Sequence, residues 1–189
     1  ALSLLRPDII QDLDLVKHGL MVLNMPTTLA PMENGDHLYL GTDHHANYHA
    51  IARHSKKDAE AYDDYKTMVN KVCQAVKPLF DQIPPNLFSE EPEEVARLAA
   101  VGSHLRGLEP KTLHMLTRFL TGSAAEILDD YFESDIIKGL FSSSSIIGSK
   151  VGPRSQGSGL VLLFHKMGEV DGAFGDWGFH KGGNGGFTQ

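Results

Sequence analysis

Residues 57–81, KDAEAYDDYKTMVNKVCQAVKPLFD, decide the fold. Ala59, Tyr62, Tyr65, Met68, Val69, Val72, Cys73, Val76 and Phe80 recur at intervals of three and four. That spacing puts them on one face of an α-helix. The stretch therefore predicts the longest helix of the chain, with Pro78 placed to kink its end.

Toward the N-terminus, SLLRPDIIQDLDLVKHGL at residues 3–20 reads as a helix. Pro7 suits a first turn, and Asp8 and Asp12 favour the positive end of the helix dipole. Residues 20–25 and 37–41 read as two strands. The turn MENGD precedes the second, and Asn34-Gly35 within it is a strong hairpin signal. A helix is expected to begin near Asp43 or Ala46.

Toward the C-terminus, IPPNLFSEEPEE at residues 83–94 is a linker or surface turn. Helices are predicted over 92–105, 111–120 and 123–132, with Ser123 and Glu126 matching a capping box. A further helix starts at Ser134 or Asp135 and runs through Phe141, followed by a serine run at 142–145. From Gly148 glycines multiply and helical periodicity fades. Leu160 to Lys166 suits a buried strand or a short helix equally, and Phe174 to His180 reads as a strand. The expected class is α+β, mainly helical with a small antiparallel β-hairpin, because βαβ alternation is missing.

Composition narrows the function. A formal net charge of −7 argues against nucleic acid as the main partner, since phosphate binding needs a basic face. No apolar run approaches the ~20 residues of a membrane-spanning helix. The single cysteine excludes an internal disulfide and a four-cysteine zinc site. Cys73 is expected to pack as a small core residue, and a reducing, cytoplasmic compartment is compatible with it. The chain begins without Met, and its glycine-rich end stops at Gln189. Both predict an internal fragment of a longer protein.

Four patterns invite chemistry. His45 and His49 are spaced to share a metal on a helix, beside His44 and His54. Yet HExxH and a thiolate set are absent, so a solvated helix side is preferred and no metal is assigned. The serines 142–145, 149, 155 and 158 lack a surrounding GxSxG and read as a flexible surface link. Arg154, flanked by glycines in GPRSQGSG, suits a carboxylate or phosphate clamp, or a plain salt bridge. KGGNGG at 181–186 fits neither GxGxxG nor a Walker A loop, and by itself it reads as a tight turn.

Several stretches together carry a resemblance. They are SLLRPDII at 3–10, LGTD at 40–43, KDAEAYDDY at 57–65 and FESD at 132–135 with Lys138. GPRSQGSGLVLLFHKMGEV at 152–170 and DWGFHKGGNGG at 176–186 complete the set. In this order they resemble the flavin-dependent oxidoreductases of the phytoene dehydrogenase and amine oxidase superfamily. Within it, the subgroup carrying a pyridine nucleotide-disulphide oxidoreductase domain is nearest. Gln156 and Asn184 depart from that subgroup's pattern, which often has Pro and usually has Met at these places. The strand–GxGxxG–helix that seats the FAD pyrophosphate is not in these residues.

The resemblance implies that residues 1–189 are a substrate-binding cap fragment, with 148–189 returning toward an FAD domain. FAD would belong to the intact parent, and this chain alone would bind none. Gly182, Gly183, Gly185 and Gly186 become the cofactor-facing candidates, with Lys181 and Asn184 weaker. The partner would be a small organic substrate. Catalytic residues stay unassigned, and a homo-oligomer is one way to cover exposed apolar faces. Two alternatives stand beside this reading: a non-catalytic helical binding or oligomerisation module, and a histidine-based metal-binding protein.

Overall fold

A computed structural model describes residues 2, 4–25, 27–170 and 173–188. The first helix, α1 (Pro7–Asp12), starts on its proline as expected but is far shorter than residues 3–20. Asp14 takes a φ of 48°, a left-handed conformation that costs an L-residue roughly 1–2 kcal/mol. Ile9, Leu13 and Val16 stay exposed, so no buried face holds a longer helix together.

Strands β1 (Val22–Asn24), β2 (Thr28–Pro31) and β3 (His37–Leu40) follow. The Asn34-Gly35 turn does close a hairpin, with Gly35 at φ 84° and Asn34 Oδ1 accepting from the Asp36 N–H at 3.0 Å. The partner of β3 differs from the expected residues 20–25. It is β2, with Thr28 opposite Leu40 and Pro31 opposite His37. Residues 28–31 adjoin the turn, and closing the shorter loop costs less entropy.

The helical block is capped much as its sequence dictates. Helix α2 (His44–Ala52) is capped by Asp43, which accepts from the Ala46 N–H at 3.1 Å. Ser55 caps α3 (Lys56–Phe80), the predicted long helix, accepting from the Asp58 N–H at 3.1 Å. Pro78 falls in the last turn of α3, where it withholds the N–H that would otherwise donate to the Gln74 carbonyl. Next come α4 (Pro92–Arg106), α5 (Pro110–Thr121), α6 (Ala124–Asp129) and α7 (Asp135–Ser142). The Ser123–Glu126 capping box is present at the start of α6.

Two expectations about the C-terminal third need correcting. The serine run is no flexible surface link. It continues α7 into a 3-10 turn, Ser143–Ser145, with Ser144 and Ser145 buried. Residues 174–180 do not form one strand: β4 (Glu169–Val170) pairs with β5 (Ala173–Phe174), and β6 (Gly178–His180) pairs antiparallel with β1. Gly175, at φ 81°, separates β5 from β6.

The strand-or-helix ambiguity at 160–166 resolves as α8 (Ser158–Lys166). Leu162 and Leu163 are fully buried in the core beside Val72, Cys73, Phe119, Ile127 and Ile137. Glycine at 159 is what permits this packing. A Cβ there would lie 2.9 Å from the Phe119 carbonyl oxygen and 3.1 Å from that of Gly122. A last short helix, α9 (Gly183–Phe187), follows β6.

The fold is thus α+β and mainly helical, with small antiparallel pairs at its margin. Helix α4 buries none of its side chains. Val95 and Leu98 on it, together with Ile83, Leu87 and Phe88 (95% exposed), leave apolar surface in solvent. Among the described residues no helix is long and apolar enough to cross a membrane.

Candidate functional site

A cavity of about 420 Å³ opens between α3, α7 with its 3-10 turn, the last residue of α8, the end of β3 and residues 175–177. Residues 62, 65, 66, 69 and 70 of α3 line it. They follow the i, i+3, i+4, i+7 pattern of one helix face. The stripe that predicts the helix therefore has two jobs: part of it is core, and part faces the cavity.

Each wall is held by a specific contact. Asn47 on α2 ties down Gly41 at the cavity rim, accepting from its N–H at 2.7 Å and donating to its carbonyl at 2.8 Å. Asp58, fully buried on α3, accepts from the backbone N–H groups of Glu133 and Ser134 at 2.7 and 2.9 Å. That carboxylate fixes the start of α7, which carries Leu140 and Phe141 to the cavity. Burial pushes the Asp58 carboxyl up, but hydrogen bonds donated at Ser134, Glu133 and Ser55 outweigh it and hold the group below the ordinary aspartate range. The motifs KDAEAYDDY and FESD thus meet physically at Asp58. Trp177 is stacked on His165 of α8, with ring centroids 5.9 Å apart.

The lining combines aromatic surface with charged side chains. Tyr62 stacks on Phe141 at 6.0 Å, and Tyr65 on the same ring at 5.3 Å. The Tyr65 hydroxyl is buried with no hydrogen-bond partner among the described residues, and burial pushes its acidity far down. Lys166, the last residue of α8, places its ammonium 5.6 Å from the Phe141 ring centre. Burial lowers its pKa, and no carboxylate among the described residues pairs with it. Lys66 lies over the Tyr62 ring at 5.4 Å. The lining carboxylate, Asp176, accepts from Asn24 Nδ2 at 3.3 Å.

None of the four candidate glycines lines this cavity. They follow it along the chain: Trp177 leads into β6, and β6 into Gly182–Gly186, at ~3.3 Å per residue along the strand. Gly182 and Gly183 have φ of 98° and 70°. A Cβ at Gly186 would crowd the His180 ring at 3.1 Å, whereas at Gly183 or Gly185 it would meet nothing within 4 Å. Lys181 and Asn184 are exposed beside them.

The other sequence candidates are dispersed. Among the described residues no group of three or more histidine, cysteine or carboxylate side chains is placed to hold a metal. His44 faces Asp63 at 3.4 Å, His49 meets Tyr48 edge-on, and His54 reaches the His37 carbonyl at 3.3 Å. Ser158 is structural: its buried hydroxyl accepts from the Ala124 N–H at 2.9 Å and faces the Ser155 carbonyl at 2.7 Å. Arg154 is exposed and makes no ion pair among the described residues. Cys73 is core, and burial pushes its thiol up to about 12. The residues that sequence reading missed are Lys166 and Trp177. A lysine closing the apolar run LVLLFHKM was a visible signal, but only packing shows that no carboxylate among the described residues pairs with it.

The chain is 34% identical over 202 aligned positions to pyridine nucleotide-disulfide oxidoreductase domain-containing protein 2 of Rattus norvegicus. The protein of the same name from Mus musculus matches at the same identity. All of the chain is covered in both alignments. The chain resembles these proteins from end to end. It spans 35% of their length. The matched span therefore holds both the cavity and the glycine segment. No family profile matches the chain, and no solved structure does.

Proposed function

We propose that residues 1–189 are the substrate-binding portion of an FAD-dependent oxidoreductase of the phytoene dehydrogenase and amine oxidase superfamily. Residues 148–189 would return toward a flavin-binding part. The observation that carries this reading is the cavity: an aromatic pocket with Lys66 and Lys166 in its lining, in a chain similar throughout to proteins named as oxidoreductases. Pockets of roughly 300–1,000 Å³ with a few convergent polar groups are the usual form of a small-molecule site.

The residues fit part of a flavin site. Gly185 needs to be glycine for neither backbone geometry nor packing within this chain, since its φ is not positive and a Cβ would meet open space. That is the expected signature where something else approaches the backbone closely. We assign Gly182, Gly183, Gly185 and Gly186 to that approach. The pyrophosphate seat is not among these residues. When bound, the flavin would accept hydride equivalents from a C–N or C–C bond of an organic substrate. The chain's own share is to hold the substrate body against Tyr62, Phe141 and Trp177 and to keep water off it. The exposed apolar side chains of residues 83–98 are the surface a flavin-binding part or a second copy would cover.

The test uses the product of the whole reading frame that encodes this chain. It should contain a strand–GxGxxG–helix and purify with flavin. Gly185→Val adds a side chain without backbone strain, so it should lower the flavin-to-protein ratio while leaving the fold intact. A whole product that carries no flavin would sink the reading. An unchanged ratio in Gly185→Val would remove the glycine assignment.

A further inference from the structure

We infer that the outer face of α4, with the linker before it, is a two-fold interface that packs antiparallel against the same face of a second copy of this chain. The inference rests neither on what the cavity binds nor on a flavin.

Helix α4 leaves one side to solvent. Its sheltered positions, 94, 97, 101, 104 and 105, recur at helical spacing and mark the side turned to the body of the chain. There His104 meets the Ala75 carbonyl at 2.7 Å, and Leu105 packs on the core. The opposite side carries Val95, Ala99 and Ser103, all exposed, with exposed Leu98 at its edge. The linker extends this face. Glu94 accepts from the Asn86 N–H at 2.8 Å and so holds the linker to the first turn of α4, and Phe88, between these two residues, is almost wholly exposed. A 15-residue helix that buries none of its side chains lacks the packing that normally stabilises a helix, and a partner on this face would supply it.

Self-complementarity selects a second copy as the occupant. A two-fold interface sets each residue of a patch against another residue of the same patch. With the two-fold axis at Ala99, residue 95 comes opposite 103, and residue 92 opposite 106. The N-terminal half of the face is bulky and acidic. It holds Val95 and Leu98, and at its start Glu90 and Glu91 are exposed with no ion pair among the described residues. The C-terminal half is small and basic: Gly102 and Ser103, then exposed Arg106, which donates to the Gly102 carbonyl at 3.3 Å and makes no ion pair among the described residues. Reversal therefore sets bulk against small residues and Arg106 against the acidic end. Antiparallel helix dipoles act in the same sense. Glycine inside a helix is destabilising, and nothing within this chain requires it at 102, where φ is not positive and a Cβ would meet no atom within 4 Å. Room at that position receives Val95 of the second copy, and Phe88 reaches past the end of that copy's α4.

Sedimentation velocity and cysteine cross-linking of the 189-residue chain test this. The chain should sediment as a dimer that dissociates on dilution. Phe88→Ser removes a side chain that lies in solvent in the single chain, so it should leave the fold intact and weaken dimerisation about tenfold or more. Under mild oxidation Ala99→Cys should give a disulfide-linked dimer, because it sits on the two-fold axis, while the parent, with only buried Cys73, should give none. Ser103→Cys alone should not cross-link, since its two copies would lie about 12 Å apart along the helix axes, beyond the reach of a disulfide. Mixed with Val95→Cys, it should. A monomeric parent overturns the proposal, as does a dimer indifferent to Phe88→Ser or cross-linking no stronger at 99 than at 103. The product of the whole reading frame carrying Ala99→Cys should cross-link as well. If only the 189-residue chain does so, the rest of that polypeptide covers the face and the proposal falls.

Discussion

Replacing Asp58 with alanine should unfold the chain more easily by about 3 kcal/mol. The carboxylate receives the Glu133 and Ser134 N–H groups at 2.7 and 2.9 Å. Without it, two part-buried donors lose their acceptor, at roughly 1–3 kcal/mol each. Relief of the carboxylate's own burial offsets some of that sum. Two contacts remain at the same turn: Ser55 Oγ donates to Glu133 at 2.9 Å, and Lys57 pairs with Glu133 at 3.5 Å. The ion pair is exposed and worth at most about 1 kcal/mol, so neither can substitute for the lost acceptor. In thermal unfolding the loss should appear as a Tm lower by about 10 °C. Asp58→Asn keeps one acceptor oxygen and should fall between the two proteins.

The pH dependence has a definite sign. The folded-state pKa of Asp58 is depressed, so its contribution is fully present above the unfolded value of about 4. It is lost as pH falls through the lower folded value. Urea midpoints of the parent and Asp58→Asn should therefore differ by a constant amount from about pH 5 to 8 and converge below about pH 4. Asp8, Asp36, Asp43 and Glu126 are also held low, but they are common to both proteins and cancel in the difference. An alanine variant within about 1 kcal/mol of the parent at neutral pH, or a gap that ignores acid, would refute the clamp.

Three further outcomes can be checked. Cys73 is buried with its thiol pushed up to about 12, so a disulfide reagent at neutral pH should modify it only at the rate of unfolding, and prompt labelling of native protein would contradict the packing. Gly159→Val should destabilise by about 1–3 kcal/mol or more, because its Cβ would press on two backbone carbonyls; a denaturant midpoint equal to the parent's would mean that α8 does not lie so close to α5. The chain alone should not retain FAD, since its residues include no strand–GxGxxG–helix, and stoichiometric flavin absorbance after purification would show otherwise.

Local rules made much of the helical block legible. Periodicity set α3 to within a residue at each end, Asp43 and Ser123 marked helix starts, and Asn34-Gly35 marked the turn. These signals live within a few residues of one another, so the sequence by itself determines them. Where competing options were equally good locally, tertiary structure decided. The residues of β1 had no local reason to pass over β3 and pair with β6, more than 150 residues away. Leu160–Lys166 became helical because Leu162 and Leu163 could be buried where Gly159 lets α8 approach α5. The predicted helix over 3–20 shrank because no apolar face was offered to it. The cavity was the least legible feature: its walls come from separate segments, and whether a lysine or a tyrosine hydroxyl has a partner is a property of the packed surroundings, which no spacing along the chain encodes.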